Sequence, residues 1–352
     1  MDPDPILSAL SRQASDCERF GSPFYAGLLR AAVADLGATE RSLFARWEGL
    51  APRELVREAV ALRFLAGLHD LALEQPSGAL ADAFPPAGAD PDAAWRAARA
   101  AIERCRARLA AFMDHEPQTN EVRRSACLLP GFLTIAAGHR LPMRCFELGA
   151  SAGLNQLWSR FRYRLGACGD WGDPGSPLRL ETDWRGAPPP LAARPIVVES
   201  AACDRAPVDL KDPAQRRRLT AYIWPDQPER LARLATAIAM ALDAGIEVER
   251  ADAAHFCRTR AAPRPGTVTV IYHSIFQQYL PPPSAAALHA AIAAHGAAAT
   301  AAAPLAWLRM EPAEPARIEI TLTSWPGGRE RRLALVHAHG AWIDWTPEPS
   351  QT

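Results

Sequence analysis

Apolar residues in the first third of the chain recur at intervals of three and four, the spacing that places them on one face of a helix. Stripes of this kind occupy residues 28–36, about 53–73 and 95–112. Ser22 and Pro23 precede the first stripe and suit a helix N-cap and a first helical position. We therefore expect residues 1–138 to form a helical domain whose core is built from these stripes.

From residue 143 onward, short apolar runs alternate with helical stretches, which is typical of βαβ units around a parallel sheet. The predicted strands are 144–148, 196–201, 247–250, 268–272, 305–310, 317–323 and 333–337. The predicted helices are about 152–163, 211–222, 227–244 and 284–295. Because a Trp-Pro-Gly-Gly turn joins the last two strands, we expect residues 139–352 to form an α/β domain with a parallel sheet closed by an antiparallel C-terminal hairpin. The segment 164–194, rich in Gly and Pro, is expected to be an inserted loop or small hairpin at 178–184.

Composition narrows the class of protein. The 39 basic and 39 acidic residues balance, so no overall field steers the chain towards nucleic acid or an anionic membrane, and neither is an expected partner. The 7 cysteines are scattered without a CxxC pair, so neither a disulfide framework nor a metal site is predicted. The start of the chain lacks the features of a signal peptide, and the charge-free run 285–308 is broken by Gly296 and Pro304. We therefore expect a cytoplasmic protein without a membrane span.

A loop rich in small residues, 146–155 (FELGASAGLN), follows the first predicted strand and opens a predicted helix. Glycine lets the backbone turn tightly and approach a ligand, and the helix N-terminus offers free N–H groups to an anion. A dinucleotide-binding loop requires G-x-G-x-x-G, but Ser and Leu occupy its second and third glycine positions when Gly149 is the first. An S-adenosylmethionine (SAM) loop has an acid followed by G-x-G-x-G. Glu147, Gly149 and Gly153 match this pattern, with Ser151 at the middle glycine.

The candidate cofactor-binding residues extend beyond this loop. Within the loop region they are Glu147, Gly149, Ala150, Ser151, Gly153 and Asn155. Asp204, near the end of the next strand, suits the two ribose hydroxyls, with Glu199 as the alternative. Asp252 follows a further strand and suits the adenine amine, and Tyr272 follows the fourth. The competing interpretations are a plain strand-to-helix turn for the loop, and turn formation or helix capping for the two aspartates.

Two candidate acceptor-side residues, His273 and Glu311, lie at strand ends, and the carboxyl ends of parallel strands form the ligand crevice of open α/β sheets. Two others, Asn120 and Glu121, precede the first helix and strand of the α/β domain and are expected to reach over the cofactor. His273 is a candidate general base, with Glu121 as a second catalytic candidate. Asn120 and Glu311 are candidates for substrate binding. The alternatives are a histidine packed at a strand end, and helix capping by Thr119 or Asn120.

Several of these motifs occur together in one known family. The segments are 118–122 (QTNEV), 128–132 (LLPGF), 147–155, 224–227 (WPDQ) and 272–274 (YHS). In this combination the chain resembles the bacterial family called domain of unknown function 2332 over nearly its whole length. The resemblance implies a helical N-terminal region on a Rossmann-like SAM methyltransferase domain, and it implies no particular substrate.

These features predict a SAM-dependent methyltransferase that acts on oxygen or nitrogen of a small-molecule acceptor, with the helical domain as a lid that excludes water. Two alternatives stay open. The first is a non-catalytic SAM-fold module, which the absence of a recognisable acceptor motif favours. The second is a dinucleotide-dependent oxidoreductase, which the glycine spacing disfavours.

Overall fold

The computed structural model describes residues 4–314 and 317–348. The chain divides into two compact units. The first contains the residues up to Thr119 together with Leu210–Ala235, and the second contains Asn120–Asp209 and the residues from Thr236 onward. Each unit is described by itself below.

The α-helices are numbered in chain order. They are α1 (Pro5–Arg19), α2 (Pro23–Ala34), α3 (Ala38–Arg41), α4 (Pro52–Arg57), α5 (Val60–Glu74), α6 (Ala79–Ala83), α7 (Pro91–Met113), α8 (Arg124–His139), α9 (Pro213–Ala221), α10 (Pro228–Asp243), α11 (Ala253–Arg260) and α12 (Pro282–Ala298). Short 3-10 helices include Leu154–Arg160 and Gln277–Tyr279. Within the described ranges, none of the helices is both long enough and apolar enough to cross a membrane.

The predicted helices of the first unit form, with one break at Ala59 and a kink in α7 at Cys105. Ser22 is the N-cap of α2, and its hydroxyl accepts the backbone N–H of Tyr25 at 3.3 Å. The helix predicted over about 53–73 is instead two helices, α4 and α5, because Ala59 has a left-handed backbone with φ of 53°. The apolar stripe of α7 lies in the core as predicted.

The strands belong to one large, mostly parallel sheet. They are β1 (Met143–Leu148), β2 (Arg162–Leu165), β3 (Gly169–Trp171), β4 (Arg179–Gly186), β5 (Val197–Asp204), β6 (Glu249–Arg250), β7 (Val268–Ser274), β8 (Leu305–Glu314), β9 (Arg317–Trp325), β10 (Arg329–Val336) and β11 (Trp342–Trp345). Their order across the sheet is β3-β2-β4-β11-β10-β9-β8-β7-β1-β5-β6.

Five neighbouring parallel strands, β6-β5-β1-β7-β8, carry most of the predicted site residues on or just after their carboxyl ends, whereas Asn120 and Glu121 precede α8. The register between β1 and β7 places Glu147 beside Tyr272. Beyond β8 the sheet continues through antiparallel β9 and β10, so the predicted antiparallel hairpin is confirmed. One face of the five strands is covered by α11 and α12, through a core that includes Phe146, Phe256 and Ile292.

The insertion after β1 differs from its prediction. The helix expected at 152–163 is a short 3-10 helix, and the hairpin expected at 178–184 is a single strand, β4, which pairs in parallel with both β2 and β11. Tyr163 and Leu165 are buried while Arg164 between them is exposed. This alternation of period two favours a strand, and through this strand the insertion joins the sheet.

The two compact units divide the chain at positions other than the predicted boundary after residue 138. Helix α8 packs on β8 and β9 in the second unit, whereas α9 packs on α5 in the first. Both helices bury apolar side chains, such as Phe132 in α8 and Ala221 in α9.

Candidate functional site

The loop at residues 149–153, here called the glycine loop, connects β1 to the 3-10 helix Leu154–Arg160. Gly149, Ser151 and Gly153 all have left-handed backbones, with φ of 63°, 55° and 73°. Glycine adopts this conformation freely, whereas an L-residue such as Ser151 adopts it at a cost of about 1–2 kcal/mol. Ser151 therefore takes the conformation that the glycine of the common pattern would take.

Asp204 at the end of β5 holds the glycine loop from one side. Its Oδ2 accepts the backbone N–H of Ser151 at 2.8 Å, and its Oδ1 accepts that of Ala206 at 2.9 Å. The backbone N–H of Ala150 also donates to the carbonyl of Cys203, at 3.0 Å. Asp204, the residue predicted to bind the ribose, thus lies beside the loop, where its carboxylate accepts hydrogen bonds from backbone amides.

The hydroxyl of Ser151 is buried, and it has no hydrogen-bond partner among the described residues. A buried hydroxyl without a partner costs roughly 1–3 kcal/mol. Such groups are uncommon in native proteins, and a bound ligand is one explanation for a group of this kind.

Glu147 lies beneath the loop, where it is 3% exposed. The hydroxyl of Tyr272 is 3.4 Å from its Oε2, and the amide of Asn155 is a second hydrogen-bond partner. Burial raises the pKa of Glu147 to about 8, an effect that these two hydrogen bonds reduce and the charge of Asp204 increases. Glu147 is therefore mostly protonated at neutral pH.

Residues before and at the start of α8 hold the 3-10 helix that follows the loop. Asn120 Oδ1 accepts the backbone N–H of Leu154 at 2.9 Å, and the hydroxyl of Ser125 donates to Asn155 Oδ1 at 2.7 Å. Glu121 is buried beside them, and its Oε1 accepts the N–H of Arg123 at 3.2 Å. Asn120 therefore caps the 3-10 helix after the loop, rather than α8.

The two remaining acids differ in their surroundings. Asp252 is the N-cap of α11, where its carboxylate accepts the N–H of His255 at 3.0 Å and remains exposed. Glu199 pairs with Arg144 at 2.7 Å in the middle of β5, and this hydrogen bond lowers the pKa of Glu199. Glu199 already has a buried cationic partner, so Asp204 is the better placed of the two for a ligand.

His273 on β7 is fully buried, and each of its ring nitrogens has a partner. Nε2 accepts the indole N–H of Trp307 at 3.0 Å, and Nδ1 lies 2.6 Å from Oε1 of Glu311. The Trp indole is only a donor, so Nε2 carries the lone pair and the Nδ1–H group donates a hydrogen bond to Glu311. This pattern assigns His273 as the neutral Nδ1–H tautomer.

The loop between β7 and α12, residues 275–281, comes back over the glycine loop. Its Phe276 ring lies so close to Gly149 that a Cβ on the glycine would overlap it. Glu311 Oε1 accepts the backbone N–H groups of Phe276 at 2.9 Å and of Gln277 at 3.2 Å. The carboxylate that was predicted to bind substrate therefore holds this loop.

Nearly the whole chain matches a protein-family model. Residues 8–345 match a family model described as an uncharacterized protein conserved in bacteria (DUF2332). The chain belongs to the DUF2332 family. No curated protein and no solved structure matches the chain.

The predicted site residues of this DUF2332 protein fall into two groups in its sheet unit. One surrounds the glycine loop, namely Asn120, Glu121, Glu147, Gly149, Ala150, Ser151, Gly153, Asn155, Asp204 and Tyr272. His273 and Glu311 form the second group, which meets the loop through Phe276. Asp252 lies one strand further out, after β6. The cofactor and catalytic roles of all these residues stay predictions.

Three further residues of this DUF2332 protein belong to the site: Ser125, Phe276 and Trp307. A signal existed for Phe276, because it follows the YHS motif at the end of a strand. Trp307 lies in the middle of an apolar run, and nothing in the sequence distinguishes it from a core residue.

A cavity of about 460 Å³ lies at the amino ends of β1 and β5. It is lined by Pro142, Ile196 and their neighbours, which precede β1 and β5, together with Arg140 and Arg194. The polar groups that converge on the glycine loop are at the opposite ends of those strands. Within the described residues, His, Cys, Asp and Glu side chains form no group of three or more arranged to hold a metal ion. We therefore take the glycine loop of this DUF2332 protein as the candidate site.

Proposed function

We propose that this protein binds SAM at the glycine loop and transfers its methyl group to a small-molecule acceptor. The strand order supports the proposal. Counted along the chain without the insertion, the five parallel strands are neighbours in the order third, second, first, fourth, fifth. This is the order of doubly wound nucleotide-binding sheets, in which the ligand lies outside the carboxyl ends at the point where the order reverses. That point falls between β1 and β7, and the glycine loop follows β1.

The observation that carries the proposal is the buried, unpartnered hydroxyl of Ser151 inside this loop. It lies between two left-handed glycines, at the end of a central strand, and beside the carboxylate of Asp204. A polar ligand that reached this loop would pair with the hydroxyl and remove the cost of its burial. The residues present thus fit a ligand such as SAM, which carries an ammonium, a carboxylate and ribose hydroxyls.

In the proposal, the backbone of residues 149–153 and the Ser151 hydroxyl hold the methionyl part of SAM. Each oxygen of Asp204 accepts one N–H in the structure, and a carboxylate has about four acceptor positions. Asp204 can therefore also accept two ribose hydroxyls, and the exposed carboxylate of Asp252 can accept the adenine amine. SAM supplies a methyl group on a positively charged sulfur.

On the acceptor side, we propose that positioning does most of the work. For His273 to act as a base, Nε2 would have to exchange its hydrogen bond with Trp307 for one with the acceptor hydroxyl. Holding the acceptor in line with the methyl group is sufficient for a large part of the rate of such a displacement. Asn120 and Glu121 border the same loop and are the proposed acceptor contacts.

A non-catalytic SAM-binding module is the second candidate function. The observation that favours it is that both ring nitrogens of His273 are already used by Trp307 and Glu311. In this case the loop and Asp204 would bind the cofactor as above, and no methyl group would be transferred.

Calorimetric titration of the purified protein with SAM and with NAD tests the cofactor. We expect saturable binding of SAM at one site and no binding of NAD. The reverse result would replace the proposal with the oxidoreductase. Formation of S-adenosylhomocysteine when the protein is incubated with SAM and a small-molecule extract, measured by mass spectrometry, separates a methyltransferase from a non-catalytic module.

Gly149→Val locates the binding site. The valine side chain would overlap Phe276 and would impose a β-branched residue on a left-handed backbone, so we expect SAM binding to be lost. Gly138→Val is the matched control, because a Cβ there meets no described heavy atom within 4 Å apart from its chain neighbours and its own helix backbone. A folded Gly149→Val variant that binds SAM with unchanged affinity would remove the loop from the site.

A further inference from the structure

Glu311 joins three donors at one oxygen atom. Its Oε1 accepts from Nδ1 of His273 at 2.6 Å and from the backbone N–H groups of Phe276 and Gln277 at 2.9 and 3.2 Å. Its Oε2 is buried and has no hydrogen-bond partner in the described part of the chain. The carboxylate is thus directed at the β7–α12 loop and at the strand that precedes it.

The loop that Glu311 holds has a costly backbone. Ile275 has a φ of 51°, which is an outlier for a β-branched residue and is energetically unfavourable. Such a conformation persists only where its surroundings impose it. The two backbone hydrogen bonds that follow Ile275 directly, both to Glu311, are interactions of this kind.

The conformation that is held in this way covers the glycine loop. The ring of Phe276 lies against Gly149, in the space that a Cβ would need. His273 supports the arrangement from behind, since Trp307 fixes one side of its ring and Glu311 the other, and the rings of His273 and Phe276 are 5.4 Å apart in an edge-on contact. Glu311 on β8 therefore holds the segment whose Phe276 ring lies against Gly149.

We infer that Glu311 is a positioning residue that holds the ring of Phe276 against Gly149, and that this ring must move away before a ligand reaches the glycine loop. The identity of that ligand as SAM rests on the proposed function. The positioning of Phe276 by Glu311 does not depend on the proposed function, so the positioning role and the proposed function can fail separately.

Amide hydrogen exchange tests the positioning without any ligand. Glu311→Ala removes the common acceptor, so exchange at Phe276 and Gln277 should become faster by about tenfold or more, the loss expected for one hydrogen bond. Glu311→Gln keeps an acceptor oxygen and should show a smaller increase, which keeps the test valid if the alanine variant folds poorly. Glu314→Gln is the matched control, because Glu314 lies on the same strand with an exposed side chain, and exchange should stay unchanged. Unchanged exchange in both Glu311 variants would overturn the positioning role.

Stopped-flow mixing with SAM tests the cover. Phe276→Ala should speed association by about tenfold, since the ring no longer has to move, and Glu311→Ala should act in the same direction. Slower association of Phe276→Ala would overturn the cover and make Phe276 a ligand contact. If the wild-type protein binds no SAM while exchange changes as expected, the proposed function fails and the positioning role stands.

Discussion

Two buried carboxylates, one in each compact unit, have opposite surroundings. Asp70 in α5 accepts from Arg108 in α7 at 2.5 Å and from Arg217 in α9 at 2.9 Å, and Glu74 pairs with the same two arginines. Glu147 on β1 has neutral hydrogen-bond partners, Tyr272 and Asn155, and burial raises its pKa to about 8.

The comparison shows that the kind of partner, more than burial alone, distinguishes a structural acid from a candidate site acid. The charge of Asp70 is compensated by two cations, and the network joins three helices of one unit. Burial favours the neutral form of Glu147, which lies at a loop that also contains a hydroxyl without a partner among the described residues. Perturbed acids of the second kind cluster at functional sites.

The largest expected effect concerns Glu147 and pH. Its pKa is about 8 in the folded protein against an ordinary value of 4.5, so the unfolded chain loses this proton at a lower pH than the folded one. The contribution of Glu147 to stability is fully present below about pH 4.5 and is lost as the pH rises through 8. At about 1.4 kcal/mol per pKa unit, the loss is on the order of 4–5 kcal/mol.

Urea denaturation between pH 5 and pH 9 measures this effect. The free energy of unfolding of the wild type should fall over this range, and Glu147→Gln should remove most of that fall because the amide does not ionise. Equal slopes for the wild type and the variant would contradict the raised pKa.

Asp70→Asn should have the next largest effect. The variant loses charged hydrogen bonds from two arginines, each worth about 1.5–3 kcal/mol when buried. Because the arginine side chains are 36% and 27% exposed, we expect a total loss of only about 2–3 kcal/mol, measured by urea denaturation. SAM affinity should not change. A variant that keeps its stability but loses SAM binding would reverse the distinction between the two acids.

Asp204→Ala should weaken SAM binding by roughly 1–3 kcal/mol, because it removes charged hydrogen bonds to the ribose and releases the Ser151 N–H. Calorimetry measures the change. Glu199→Ala is the control on the same strand and should have a smaller effect, since Glu199 is paired with Arg144. A stronger effect of Glu199→Ala would show that the wrong acid of β5 was assigned.

Ser151→Gly should have the smallest effects, and they should have opposite signs. Removing the side chain relieves the left-handed backbone and should raise the free energy of unfolding by about 1 kcal/mol. It also removes the hydroxyl, so SAM should bind a few-fold more weakly, by about 0.5–1.5 kcal/mol. Tighter SAM binding by the variant would show that the hydroxyl is not a ligand contact.

Local sequence signals predicted the elements around the glycine loop well. Each of these features has its own local signal: an apolar run for the strand before the loop, glycines at 149 and 153, and an acid at 204 after the next apolar run. The structure places Asp204 beside the loop. The apolar runs also predicted the five neighbouring parallel strands and the C-terminal hairpin, because these depend on apolar patterns and turn residues that are adjacent in the chain, whereas β2, β4 and β11 were not predicted.

Features that depend on distant partners were not predicted. The break at Ala59 has no compositional signal, because alanine is the strongest helix former. The bond between His273 and Trp307 depends on the packing of β7 against β8, and the use of Glu311 as a loop acceptor depends on the path of residues 275–281. The ligand itself is not determined by any of these patterns, so the cofactor stays a prediction.

The pairing of β4 with β11 has a consequence for biosynthesis. Strand β4 lies in the insertion directly after β1, but one of its two neighbours in the sheet is the last strand of the fold, with Asp183 opposite Trp342. On the ribosome, β4 therefore emerges with an unpaired edge long before its partner is translated. Contacts between such distant segments form slowly, and open strand edges promote aggregation. The nascent chain thus carries an open edge until β11 is translated, and truncation just before β11 would leave that edge permanently open.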